Sequence, residues 1–152
     1  MIILKNISYT TNSNEKILDD INLNIKKGEF VVITGKSGSG KTTLASVING
    51  LISHYYEGTL TGETYINGEK INDLELSKIG NLVGTVFQDP RSQFFMMDPF
   101  NEVAFGLCNR CLNKDEIKQR VKNSLQIFGI EHLKEKSIFK LSSGEKQKVA
   151  IA

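Results

Sequence analysis

Alternating and grouped apolar residues predict strands in the first half of the chain. Residues 2–9 and 17–25 alternate between apolar and polar side chains, as half-buried strands do. A third strand-like stretch, residues 59–66, precedes the turn at Asn67-Gly68. Two shorter continuous apolar runs, FVVI at 30–33 and LVGTVF at 82–87, are typical of strands buried on both faces.

Helical periodicity dominates the remainder. Helices are predicted at residues 42–51, 101–112 and 114–128, and from 142 onward. Asn113 with Glu116, and Ser142 with Glu145, stand at capping-box spacing. The 114–128 helix presents one buried stripe, formed by Ile117, Val121, Leu125 and Phe128.

Length and composition favour one globular domain. The chain has 152 residues, 39% hydrophobic and 24% charged, and its net charge of +2 gives no reason to expect nucleic acid as a partner. No apolar run approaches the roughly 20 residues needed to span a bilayer, and MIILKNIS lacks the basic start of a signal peptide. We therefore expect a cytoplasmic protein.

The two cysteines are not expected to bind metal. Cys108 and Cys111 form a lone C-x-x-C without a second half. Val103 and Leu107 precede Cys111 at helical spacing, so a helix that places both thiols on or near its apolar face accounts for them.

The stretch GKSGSGKT, Gly35 to Thr42, fits the phosphate-binding P-loop and lies between a predicted strand and a predicted helix. Its glycines let successive N–H groups face one anion, and the helix N-terminus adds about half a positive charge. Lys41 is expected to reach the β- and γ-phosphates, and the Thr42 hydroxyl to bind Mg²⁺. The alternative is a Gly/Ser turn with an incidental lysine. The predicted phosphate-binding residues are Gly35, Lys36, Ser37, Gly38, Ser39, Gly40, Lys41, Thr42 and Thr43.

Three further features leave their interpretation open at this point. Tyr9 is either a structural strand residue or an aromatic that stacks on a base. Gln88 ends a predicted strand, where ligands of such domains often bind, but this alone is only suggestive. Phe94, Phe95, Met96 and Met97 lie between two prolines in an irregular segment, as local core or as an adaptable docking surface.

The P-loop, Gln88 and the stretch Leu141–Gln147, in this order, resemble an ABC-type ATPase subunit. The segments VFQDPRSQFF and NEVAFGL are most similar to ATPases of energy-coupling-factor (ECF) transporters, which import vitamins and metal ions. The resemblance implies an α/β P-loop NTPase fold, a RecA-like ABC core with an antiparallel β subdomain and a helical subdomain. The expected divisions are the β subdomain with the ATP-binding core at 1–90, the helical subdomain at 91–140 and the signature motif at 141–152. A P-loop small-molecule kinase would have no use for the signature.

The same resemblance implies specific roles. Tyr9 would stack on adenine, and Gln88 would contact Mg²⁺ and the attacking water, so Gln88 and Lys41 are the catalytic candidates. The signature residues Ser142, Ser143, Gly144 and Glu145 would bind the γ-phosphate held by a second ATPase subunit, in a homo- or heterodimer with two ATP molecules. The segment Phe94–Met97 would receive a transmembrane coupling subunit at the inner face of the cell membrane.

Two departures from the family pattern concern the signature and the residues beyond it. L-S-S-G-E replaces L-S-G-G-Q, so Ser143 and Glu145 are unusual. No strand ending in Asp-Glu and no switch histidine follow the signature. We therefore expect the C-terminal part of the core to be missing and this chain to hydrolyse little or no ATP. The alternative to a working ATPase subunit is a non-hydrolysing ATP-binding or docking fragment.

Overall fold

The computed structural model describes residues 1–110 and 112–152. The chain divides into two compact units, Met1–Thr85 and Val86–Ala152. The predicted divisions at residues 90 and 140 stay predictions.

The first unit contains an antiparallel sheet with the strand order β2-β1-β3-β4. The strands are β1 (Ile2–Thr11), β2 (Lys16–Ile25), β3 (Gly58–Ile66) and β4 (Glu69–Lys70). Apolar residues meet across β1 and β2, as in the pairs Leu4 with Leu23 and Ile7 with Ile21. The strands predicted at residues 2–9, 17–25 and 59–66 are therefore confirmed as β1, β2 and β3.

Three helices accompany this sheet: α1 (Lys41–Ile48), α2 (Leu51–Tyr55) and α3 (Leu76–Leu82). α1 buries Leu44 and Val47 in the same core as Leu4 and Ile7 of the sheet. It ends at Asn49, and Gly50 follows in the left-handed region with φ 78°. A Cβ atom at Gly50 would lie 2.5 Å from Ile79 Cδ1, so glycine permits the close approach of α3.

The two predicted buried strands are not present, and these predictions were wrong for this chain. Residues 30–36 form neither strand nor helix, and Phe30 is 91% exposed. The run at 82–87 begins inside α3, and its last residues, Val86 and Phe87, are exposed. A strand buried on both faces needs hydrogen-bonded neighbours, and the sheet of the first unit does not pair with the 30–33 run.

The second unit is helical. Its elements are α4 (Pro99–Cys108), α5 (Lys114–Ile127), α6 (Ser143–Ile151) and 3₁₀ turns at Pro90–Gln93, Glu131–Leu133 and Ile138–Lys140. The predicted stripe of α5 is confirmed, because Val121 and Leu125 are buried while Ile117 and Phe128 pack at the edge of the same core.

Side-chain caps begin the three helices of this unit. Asp98 Oδ1 accepts the Asn101 N–H at 2.9 Å, and Asn113 Oδ1 accepts the Glu116 N–H at 2.8 Å. Glu116 does not complete a capping box, because its carboxylate forms an ion pair with Arg120 at 2.6 Å. The predicted box at the start of α6 is complete.

Cys108 lies at the end of α4, four residues after the buried Ala104, and its side chain is exposed. Cys111 lies outside the described residues. Within 1–110 and 112–152, no group of His, Cys, Asp and Glu side chains is arranged to hold a metal ion. No helix in these two ranges is long and apolar enough to cross a membrane.

Candidate functional site

The predicted P-loop forms a compact turn that ends at the N-terminus of α1. Gly38 and Gly40 adopt the left-handed region, with φ of 80° and 83°, which favours glycine. A Cβ atom at Gly40 would lie 3.1 Å from the Ile17 carbonyl oxygen, and one at Gly35 would lie 2.7 Å from Ser39 Oγ. Side chains at these positions would therefore fill the loop or push it from β2.

The start of α1 leaves several amide groups without a protein acceptor. The first helical hydrogen bond is donated by the Leu44 N–H to the Gly40 carbonyl at 2.8 Å. Gly40 occupies the N-cap position, and no side chain caps the helix. The N–H groups of Lys41, Thr42 and Thr43 are therefore open to an anion, which the helix field also favours.

The Lys41 ammonium lies against the loop itself. Its Nζ donates to the carbonyls of Gly35 at 2.9 Å and Lys36 at 2.6 Å, and lies 3.3 Å from Ser39 Oγ. A lysine has three N–H donors, so these contacts account for all of them. The loop thus brings one ammonium, free helical amides and the Thr42 and Thr43 hydroxyls together, a donor set that fits a phosphate group and, through Thr42, Mg²⁺.

Tyr9 is a buried residue of strand β1. It lies on the same face of β1 as Ile7, is 4% exposed, and its hydroxyl donates to the Glu57 carbonyl at 2.8 Å. A Cβ atom at Gly58 would lie 2.9 Å from its ring. Strand alternation therefore turns this ring into the core, and its stacking on adenine stays a prediction.

The signature stretch begins α6 with a complete capping box. The N–H and hydroxyl of Ser142 each donate to Glu145 Oε2 at 2.7 Å, and the Glu145 N–H donates to Ser142 Oγ at 3.3 Å. These bonds, first from the Ser142 side chain and then from its backbone, lower the pKa of Glu145. The carboxylate therefore folds back onto its own helix start, while Ser143 and Gly144 remain exposed.

Gln88 is exposed at the beginning of the second unit. It lines a cavity of ≈ 480 Å³ together with Ser143 of the signature. The structure thus brings two of the predicted site residues together. The same cavity is lined by Arg91 and Lys146, which sequence reasoning missed. Their proximity depends on packing between the 90–93 turn and α6, for which the sequence carries no local signal.

The segment 94–97 divides between the two interpretations. Phe94 packs against the core of the second unit. Phe95 is 75% exposed and stacks on Phe105 with ring centroids 5.5 Å apart, and Met97 is 66% exposed. Glu102 fixes this segment, because its carboxylate accepts the N–H groups of Phe95 at 3.0 Å and Met96 at 2.7 Å.

The model of the ABC transporter family matches residues 18–152. The chain belongs to this family. A putative ABC transporter ATP-binding protein of Treponema denticola is 47% identical over the whole chain, which spans 31% of that relative. One of Pyrococcus abyssi is 39% identical over the whole chain, which spans 55% of it.

Solved structures of ABC proteins share the fold. CbiO1 from Clostridium perfringens, part of the ABC transporter complex cbiONQ, has a TM-score of 0.86 and 36% identity over 99% of this chain and 59% of its own. A dimeric ATP-binding cassette in a post-hydrolysis state, bound to ADP and Pi, has a TM-score of 0.81 and 31% identity over 99% of this chain and 67% of its own. This ABC chain therefore has the P-loop ABC ATPase fold.

The capping box predicts a pH dependence of stability. The pKa of Glu145 is lowered from 4.5 in the folded chain. Its stabilising contribution is therefore complete above pH 4.5 and is lost as the pH falls through the lower folded pKa. We expect Glu145→Gln to reduce the acid-induced loss of unfolding free energy between about pH 6 and about pH 3, measured by urea unfolding. Glu135→Gln, at an exposed side chain, is the control, and equal slopes for both variants would contradict this role of Glu145.

Proposed function

We propose that this chain is the ATP-binding subunit of an ECF-type ABC importer and that it binds MgATP. One observation carries this proposal. The P-loop holds the Lys41 ammonium within hydrogen-bond distance of its own carbonyls, at 2.9 and 2.6 Å, beside the uncapped start of α1. This is the arrangement in which backbone amides and a lysine receive nucleotide phosphates.

Each P-loop residue has a defined task in the proposed site. Lys41 exchanges its bonds to the Gly35 and Lys36 carbonyls for bonds to the β- and γ-phosphates. The N–H groups of Lys41, Thr42 and Thr43, which have no side-chain cap, receive the remaining phosphate oxygens. The Thr42 hydroxyl would hold Mg²⁺, which supplies charge neutralisation at the transferred phosphoryl group.

The signature is proposed to complete the site of a second ATPase subunit. Ser142, Ser143, Gly144 and Glu145 begin α6, whose N-terminal field suits a γ-phosphate. A dimeric cassette bound to ADP and Pi among the structural relatives supports an assembly of two such subunits. The Ser142 hydroxyl is already bonded to the Glu145 carboxylate at 2.7 Å, so a phosphate must replace that partner.

A transmembrane coupling subunit is the proposed second partner, which places the protein at the cytoplasmic face of the membrane. The similarity to CbiO1, part of a transporter complex, supports this assignment. The contact is proposed for Phe95 and Met97, whose exposed side chains adjoin Phe94 and Met96. Glu102 holds the backbone of this patch by accepting the N–H groups of Phe95 and Met96.

Binding without turnover is the second candidate for this 152-residue chain. The run at 30–33 lacks the strand pairing that would fix the entry to the P-loop. This observation favours a chain that holds nucleotide without turning it over.

Removal of the P-loop ammonium tests nucleotide binding. Lys41→Ala should weaken MgATP binding about tenfold to hundredfold, since charge-assisted hydrogen bonds contribute about 1.5–3 kcal/mol. Isothermal titration calorimetry measures the affinity, with Lys27→Ala at an exposed lysine as the control. An affinity unchanged by Lys41→Ala would remove the P-loop from the proposed site.

Turnover and association are measured on the same samples. With MgATP we expect sedimentation as a dimer but phosphate release near background, because the 30–33 run that leads into the P-loop is not paired in the sheet of the first unit. Steady phosphate release that depends on Lys41 would instead establish this chain as an ATPase by itself.

The exposed patch predicts how the membrane subunit is bound. The double variant Phe95→Ser, Met97→Ser should weaken co-assembly with that subunit in detergent by at least about tenfold, because two large apolar side chains lose their buried surface. Ile127→Ser, at a side chain 78% exposed on α5, is the matched control. Equal effects of the two changes would rule out the patch as the contact.

A further inference from the structure

The cavity of ≈ 480 Å³ in the second unit has a cationic lining that the roles proposed above do not use. It is lined by Gln88, Asp89, Pro90, Arg91, Ser143 and Lys146. All six residues belong to the second unit. Four of them lie in the 3₁₀ turn at 90–93 or just before it, and the other two lie in the first turns of α6.

Lys146 is the informative member of this lining. It is only 7% exposed, yet in the part of the chain that the structure describes its ammonium forms neither an ion pair nor a hydrogen bond. Burying a charge without a partner is costly. Its nitrogen is not among the fully enclosed polar atoms that lack a partner. The aliphatic stem is therefore buried, and the ammonium opens into the cavity.

The remaining polar groups add to the same charge. Arg91 has no ion pair among the described residues. Asp89 is engaged locally, since its Oδ1 accepts the Arg91 N–H at 3.0 Å. Two cationic side chains and one carboxylate leave a net charge of +1 in the lining.

The cavity is separate from the capping box of α6. Ser143 and Lys146 are three residues apart and therefore share one helix face. Ser142 and Glu145 are bonded to each other and do not line the cavity. The partial positive charge at the N-terminus of α6 is met by the Glu145 carboxylate, so the positive charge of the lining comes from Arg91 and Lys146.

We propose that this cavity binds a tetrahedral oxyanion of the phosphate class, inorganic phosphate being the representative ligand. Ammonium, guanidinium and hydroxyl donors from two elements suit an anion with several oxygens, and arginine and lysine are both common phosphate ligands. If the proposed ATPase function holds, phosphate is also the product formed beside the signature. That assignment of the source rests on the proposed function, whereas the binding site itself does not.

Phosphate binding to the nucleotide-free chain tests the proposal. Inorganic phosphate is titrated into ¹⁵N-labelled protein, and the amide shifts of Ser143 and Lys146 are followed. Lys146→Met keeps the buried stem and removes the charge, and should weaken binding by at least about tenfold. Arg91→Met should act in the same direction. Lys148→Met, at an exposed lysine of the same helix, should leave the affinity unchanged.

Two variants separate this cavity from the other anion sites. Lys41→Ala removes the P-loop lysine and Ser142→Ala the signature hydroxyl, and both should retain phosphate binding at the cavity. Loss of binding in either, or equal affinity in Lys146→Met and the unaltered chain, would overturn the proposal. Acetate that binds as tightly as phosphate would also overturn it, because the cavity would then select a carboxylate. Failure of ATP to bind with these phosphate shifts intact would refute the proposed function alone.

Discussion

Amide groups at the start of a helix need acceptors, and this chain meets that requirement in two different ways. α4, α5 and α6 take their acceptors from the side chains of Asp98, Asn113 and Ser142. α1 begins after Gly40 and has no side-chain cap. The three helices of the second unit named here are thus closed locally by side chains, while α1 at the P-loop keeps its donors for a ligand.

The same distinction explains which predictions from the sequence were reliable. Caps, glycine turns and the stripe of α5 are local, so the spacing of Asn113, Ser142 and Val121 was sufficient to predict them. The turn at the P-loop, with Gly38 and Gly40 in the left-handed region, belongs to this class as well. Alternation likewise located the antiparallel strands.

Features that depend on distant partners could not be predicted in this way. The run at 30–33 has the composition of a buried strand, but a strand also needs neighbours that its own residues do not specify. The residues around Tyr9 left two interpretations open, and the burial of its ring became visible only with the neighbours of β1 in place. Arg91 and Lys146 meet only because the 90–93 turn packs near α6.

The Glu145 carboxylate binds donors at the start of α6 that the anion proposed for the signature would also use. It accepts the hydroxyl and the N–H of Ser142 at 2.7 Å each, the donors nearest the start of α6. A phosphate bound there as proposed would have to displace a carboxylate that is covalently tethered and present at high effective concentration. The same carboxylate that closes the start of α6 would thus also set how strongly an anion must bind to replace it.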